Sequence, residues 1–137
     1  MPDLTGVIET SLYVDDLDRA SRFYEALFDL KRIEGDARFR AYSVGGRSVL
    51  LLFKRGGSNQ VTQLPGGTIG AHDGSGALHF AFAIRLEDLA EWETKLTGHQ
   101  IAIEHRVKWP RGGTSLYFRD PDNNSVELAT PGVWSIY

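Results

Sequence analysis

Three residues that can serve as acid, base or ligand stand at comparable places in strand-like runs: Glu9, His79 and Glu127. Successive side chains of a strand point to opposite faces. In 6–14, Thr10, Leu12 and Val14 point one way, and Glu9, Ser11 and Tyr13 the other. In 78–84, Phe80, Phe82 and Ile84 oppose His79, Ala81 and Ala83. In 114–119, Leu116 and Phe118 oppose Ser115, Tyr117 and Arg119. In 125–129, Val126 and Leu128 oppose Glu127 and Ala129. In 48–53 the same reading packs Val49, Leu51 and Phe53 and turns Leu50 and Leu52 outward. The face away from the helices therefore collects two acids, a histidine, hydroxyl side chains and Leu50. The alanines leave room beside them, and acids with a histidine in such a space suggest a site. Sheets bearing such faces could curl to enclose a cavity.

Composition narrows the chemistry. The chain has no cysteine. That excludes disulfides, thiol catalysis and thiolate metal sites, and any metal must use His, Asp or Glu, which favours Zn, Mn, Fe, Co or Ni. The net charge is −3, with basic residues scattered. A nucleic-acid surface needs a basic patch, so none is expected. No apolar run reaches the length of a membrane-spanning helix, and the first residues are polar and acidic rather than signal-like. The expectation is a cytoplasmic protein of one domain, since 137 residues can bury a core without crosslinks.

The elements that would position these residues fall into two halves. After the strand 6–14, Asp15 or Asp16 can cap a helix whose Leu17, Ala20, Phe23, Tyr24, Leu27 and Phe28 form one apolar stripe. Strands follow at 31–34, 39–44 and 48–53, the last two joined by Gly45-Gly46-Arg47. The second half repeats the order: strand 78–84, helix 86–96 ending near Gly98, and strands 101–107, 114–119 and 125–129. Asp120-Pro-Asp-Asn-Asn124 turns the last hairpin. The fold class is α+β: two tandem βαβββ units, helices on the outer face, sheets around a shared cavity. Unit one is 6–53, unit two 77–130 and a tail 131–137. The halves also match by residue. Glu9–Val14 aligns with His79–Ile84, Tyr42 with Tyr117, and Ser48-Val-Leu-Leu51 with Ser125-Val-Glu-Leu128, which pairs Leu50 with Glu127. The linking loop 54–76 holds seven of the fifteen glycines and no evident strand or helix. A loop this long reads as a lid or arm over a pocket, or as a connector.

The run Val14-Asp-Asp-Leu-Asp-Arg-Ala-Ser-Arg-Phe-Tyr24, the strand opening at His79, and Tyr117-Phe-Arg-Asp-Pro-Asp-Asn-Asn-Ser-Val-Glu-Leu128 together resemble the vicinal oxygen chelate superfamily. It groups glyoxalase I, fosfomycin-resistance enzymes, extradiol dioxygenases, methylmalonyl-CoA epimerase and bleomycin-resistance proteins. The resemblance runs from about Val7 to Ala129. It implies metal ligands at the start of the first strand of each unit and near the start of the last strand, here Glu9, His79 and Glu127. Glu9 stands where a His is common. In the glyoxalase I pattern a fourth ligand sits on the last strand of the first unit, a place held here by Leu50.

Two carboxylates directed into one cavity repel, and burying either alone is costly; a divalent cation resolves both problems. An imidazole and two carboxylates leave open positions for a substrate oxygen pair. The expected function is a divalent-metal enzyme (Zn, Ni, Co, Mn or Fe) of glyoxalase-like lyase or isomerase type on a small substrate. An extradiol-type dioxygenase is one alternative. The other is a metal-free small-molecule or antibiotic-binding protein, with His79 on a backbone partner and Glu127 on an arginine. Glu127 or Glu9 would act as base and Tyr117 would orient the substrate. Ser11, Tyr13, Leu50, Trp109, Arg111 and Ser115 would line its site, Arg111 holding a carboxylate or phosphate. His72 and Asp73 in the loop could reach the site; His99 and His105 read as surface. A homodimer is expected, with the apolar tail Val133-Trp-Ser-Ile-Tyr137 suited to its interface.

Overall fold

The computed structural model describes residues 1–137 and resolves two compact units, Met1–Ser75 and Gly76–Tyr137. Each contains one βαβββ motif.

In the first unit β1 (Glu9–Val14) leads into α1 (Leu17–Phe28), followed by β2 (Lys31–Gly35), β3 (Phe39–Val44) and β4 (Ser48–Lys54). The helix starts where Asp16 accepts a hydrogen bond from the Arg19 amide at 3.0 Å, an N-cap that satisfies an otherwise orphaned donor. It stops at Asp29, which adopts a left-handed conformation and returns its N–H to Glu25. The sheet order is β1-β4-β3-β2, with β1 parallel to β4 and the other pairs antiparallel. Tyr42 of β3 donates to Glu25 of α1 at 2.8 Å, which marks the helix-facing side of the sheet. Leu50 lies opposite Tyr42, and Leu12 opposite Leu52; all four are buried. Leu50 is therefore a core residue under α1, and the outward assignment made above is corrected. The open face of β4 carries Val49, Leu51 and Phe53, in register with Glu9, Ser11 and Tyr13.

The second unit runs β7 (His79–Ala83), a 3-10 turn (Leu86–Asp88), α2 (Leu89–Gly98), β8 (His105–Lys108), β9 (Thr114–Arg119) and β10 (Ser125–Ala129). Its order is β7-β10-β9-β8, with β7 parallel to β10. Arg106 of β8 pairs with Glu93 of α2 at 2.8 Å and so marks the helix side. In register with it come Leu116, then Leu128, then Phe82, all buried with Leu96. The strand expected at 101–107 begins only at His105, and Leu86, the first residue of the helix expected over 86–96, lies in the 3-10 turn and is exposed.

The linking segment is not featureless. It belongs to the first unit and contains a short hairpin, β5 (Thr62–Leu64) and β6 (Gly67–Ile69), turned by Pro65-Gly66. Its return is tied down: the His72 amide bonds Ser58, and Asp73 accepts from the Gly56 and Gly74 amides. Arg55 reaches Asp15 and the carbonyls of Tyr13 and Gly74. The tail is partly anchored as well. Val133 is buried and the Tyr137 hydroxyl donates to Ile84 and Ala129 carbonyls, while Trp134 and Ile136 stay exposed. No helix is long and apolar enough to cross a membrane.

Candidate functional site

On the second unit's open face, His79 and Glu127 come together. Their partners on neighbouring strands set the approach: Ser125 is in register with His79, and Glu127 lies between Ala81 and Tyr117. The last turn holds the start of β7 in place. Asp120 accepts from the Asp122 and Asn124 amides, and Asn124 accepts from the Leu78 amide at 3.0 Å, one residue before His79. The His79 Nδ1 lies 2.9 Å from the Ser125 carbonyl oxygen, and Nε2 lies 3.3 Å from Glu127 Oε2. Glu127 is 6% exposed, whereas the His79 side chain is half exposed.

The other carboxylate oxygen is held from behind. Ser115 donates to Glu127 Oε1 at 2.5 Å, and the Trp109 indole N–H donates to Ser115 at 2.8 Å. This chain fixes the carboxylate so that Oε2 faces the histidine. Tyr117 stacks beside His79, with ring centroids 6.1 Å apart. Burial, then the Glu127 carboxylate, push the Tyr117 hydroxyl above its ordinary range, so it stays a hydrogen-bond donor. Arg111 sits in the exposed turn between β8 and β9. His105 is exposed, in register with Tyr117 on the same face.

Glu9 belongs to the first unit and is exposed at the start of β1. Within neither unit do three or more His, Asp or Glu side chains gather as metal ligands. The second unit alone supplies an imidazole and one carboxylate with a built support.

Glu9 opens onto a cavity of about 390 Å³ within the first unit. Leu51, Phe39 and Phe53 form its apolar floor, and Leu64 and Ile69 come from the β5–β6 hairpin. His72 lines the same cavity. Tyr13 stacks on Phe53, and its hydroxyl lies 2.7 Å from His72 Nδ1. Burial, then the charge of Asp73, raise the Tyr13 hydroxyl above its ordinary range. Ser11 is exposed on the same face, opposite Leu51. Leu51 and Phe53 thus take the place that the sequence reading assigned to Leu50. His72 joins the cavity through a contact across 59 residues that no local spacing foretells.

Known proteins place this geometry in a family. The model for the glyoxalase/bleomycin resistance protein/dioxygenase superfamily matches residues 6–128. The crystal structure of a lactoylglutathione lyase from Agrobacterium tumefaciens superposes with a TM-score of 0.88 at 33% identity, covering 98% of this chain and 99% of that one. The metallothiol transferase FosB of Bacillus licheniformis is 30% identical over 134 residues, 96% of this chain and 79% of that protein. The fosfomycin resistance protein FosX from Mesorhizobium loti shares the fold at a TM-score of 0.65 and 22% identity, covering 96% of each chain. A family match over nearly the whole length, two βαβββ units and relatives at this identity lead to one assignment: the chain belongs to the glyoxalase/bleomycin resistance protein/dioxygenase superfamily.

Proposed function

We propose that this protein is a divalent-metal-dependent enzyme of the glyoxalase-like lyase or isomerase type, acting on a small substrate that offers oxygen atoms to the ion. The observation that carries this reading is the His79–Glu127 pair. A carbonyl oxygen can only accept, so the Ser125 contact puts the proton on His79 Nδ1. In the neutral ring, Nε2 then turns a bare lone pair toward a carboxylate oxygen at 3.3 Å. Such a contact is stable only with a proton or a metal ion between the two atoms. An imidazole oriented by a backbone carbonyl, beside a carboxylate bonded to a serine, is the supported donor set that divalent metals use.

His79 and Glu127 would hold the ion, an imidazole and a carboxylate of a kind that suits Zn, Ni, Co, Mn or Fe. Bound there, the ion would supply a Lewis acid for a substrate oxygen. Ser115 holds Oε1 of Glu127, which leaves Oε2 as ligand or as base. The Tyr117 hydroxyl, kept protonated, donates to a substrate oxygen. The names of the lactoylglutathione lyase and the metallothiol transferase support a thiol-derived small molecule as substrate class. A homodimer fits the exposed Trp134 and Ile136, and a monomeric sedimentation profile would contradict it.

Metal content tests the reading. Protein purified without chelator and incubated with Ni, Co, Zn, Mn or Fe(II) is expected to bind a stoichiometric ion, and His79→Ala and Glu127→Gln to lose it. No stoichiometric metal in the parent overturns the reading. It then favours a metal-free ligand-binding protein, in which the same two residues form an ion pair. Loss of the hemithioacetal signal of glutathione and methylglyoxal tests the lyase or isomerase step. Oxygen uptake with catechols would point instead to a dioxygenase.

A further inference from the structure

The first-unit cavity has a polar feature that the proposed metal chemistry does not use. Its floor and hairpin side are apolar, through Phe39, Leu51, Phe53, Leu64 and Ile69. A volume near 390 Å³ with this lining suits a small, largely apolar molecule. Into it comes His72, held edge-on to Phe53 with ring centroids 4.6 Å apart. Its Nδ1 is taken by the Tyr13 hydroxyl at 2.7 Å. Between a phenol and a neutral imidazole, the phenol is the stronger acid and the imidazole nitrogen the stronger base. The hydrogen bond therefore runs from Tyr13 O–H to His72 Nδ1, and Nε2 carries the ring proton.

The pair is locked in place. A Cβ at Gly74 would stand 2.3 Å from the Tyr13 ring, so only glycine lets the loop lie against that face. The His72 amide is bonded to Ser58, which is itself buried. Glu9, Asp36, Arg38, Ser58 and Thr62 also line the cavity, but the Arg38 guanidinium is engaged by Thr62 at 3.0 Å and Asp36 at 3.7 Å. His72 is the oriented N–H donor beside the apolar residues.

We propose that the first-unit cavity binds a flat, mostly apolar molecule bearing a carbonyl-type acceptor oxygen, and that His72, set by Tyr13, selects for that oxygen. This site lies wholly within the first unit and goes beyond the enzymatic reading, on which it does not depend.

The test compares two probes of equal shape, acetophenone and α-methylstyrene, which differ only in the acceptor oxygen. Both are titrated into full-length protein in the presence of chelator, with amide and histidine ring nitrogen shifts as the readout. Acetophenone is expected to bind roughly three- to tenfold more tightly, the worth of one hydrogen bond. His72→Phe is expected to erase that preference while α-methylstyrene still binds. Tyr13→Phe frees the ring tautomer and is expected to shrink the preference. In the parent, the His72 shifts should report a proton on Nε2. Equal binding of the two probes, binding of neither, a proton on Nδ1, or a preference that survives in His72→Phe would each overturn the proposal. If His72→Phe does not fold, an undiminished preference in Tyr13→Phe overturns it. Because chelator is present throughout, absence of a metal elsewhere leaves this result unaffected, and its failure leaves the metal test standing.

Discussion

The Nε2 of His79 lies 3.3 Å from Oε2 of Glu127, and each residue is fixed from its far side by a hydrogen bond, to Ser125 and from Ser115 respectively. Those outer contacts set which atoms face each other.

The Ser115 contact should matter for metal binding more than for folding. Ser115→Ala leaves Glu127 Oε1 without its donor and the carboxylate free to rotate. We expect metal affinity to fall about 10- to 100-fold, as for other outer-sphere partners, with calorimetric titration as the measurement. Affinity should also fall on acidification, since a proton competes with the ion for Nε2. An unchanged affinity in Ser115→Ala would contradict the role given to this chain.

Two adjacent leucines should behave differently. Leu50 is buried beneath α1, so Leu50→Ala should cost about 2–5 kcal/mol of stability in denaturant unfolding. Leu51 lines the first-unit cavity, so Leu51→Ala should cost less and should alter the affinity for apolar ligands. Equal stability losses with no change in ligand affinity would contradict the observed register.

Tyr42 buries its ring and donates to Glu25. Tyr42→Phe keeps the ring and removes one hydrogen bond, for an expected loss of about 1 kcal/mol in the same assay.

The pH dependence of stability follows from Asp16. The Arg19 amide, first of all, holds its carboxyl below the ordinary range. A carboxyl with a folded-state pKa below its unfolded value adds stability above the unfolded pKa and loses it as pH falls through the folded one. The thermal midpoint should therefore drop on acidification below the usual carboxylate range. Asp16→Asn, which keeps the cap acceptor but cannot titrate, should flatten that part of the profile. Identical profiles for the two proteins would refute this origin.

Gly74→Ala places a methyl group against the Tyr13 ring. The ring must move, and the Tyr13–His72 hydrogen bond should be lost, visible as a change of tautomer in the histidine nitrogen shifts.

The amino-acid sequence determined the two βαβββ units, the cap at Asp16 and the turn at Asp120 through strong local patterns. It also determined which face holds Glu9, His79, Tyr117 and Glu127, because β1, β7, β9 and β10 alternate or carry polar residues that give the period a phase. It could not do so for β4. Val49-Leu-Leu-Leu-Phe53 is apolar at every position, and such a run has a period but no phase. Only the hydrogen-bonded register, Leu50 against Tyr42 and Leu51 against Ser11, decided which side faces the helix. A one-residue slip reverses every side chain, and so the counterpart of Glu127 is Leu51 rather than Leu50. The same holds for Tyr13 and His72. Their meeting depends on how a glycine-rich loop returns across 59 residues, and only the fold supplies that path.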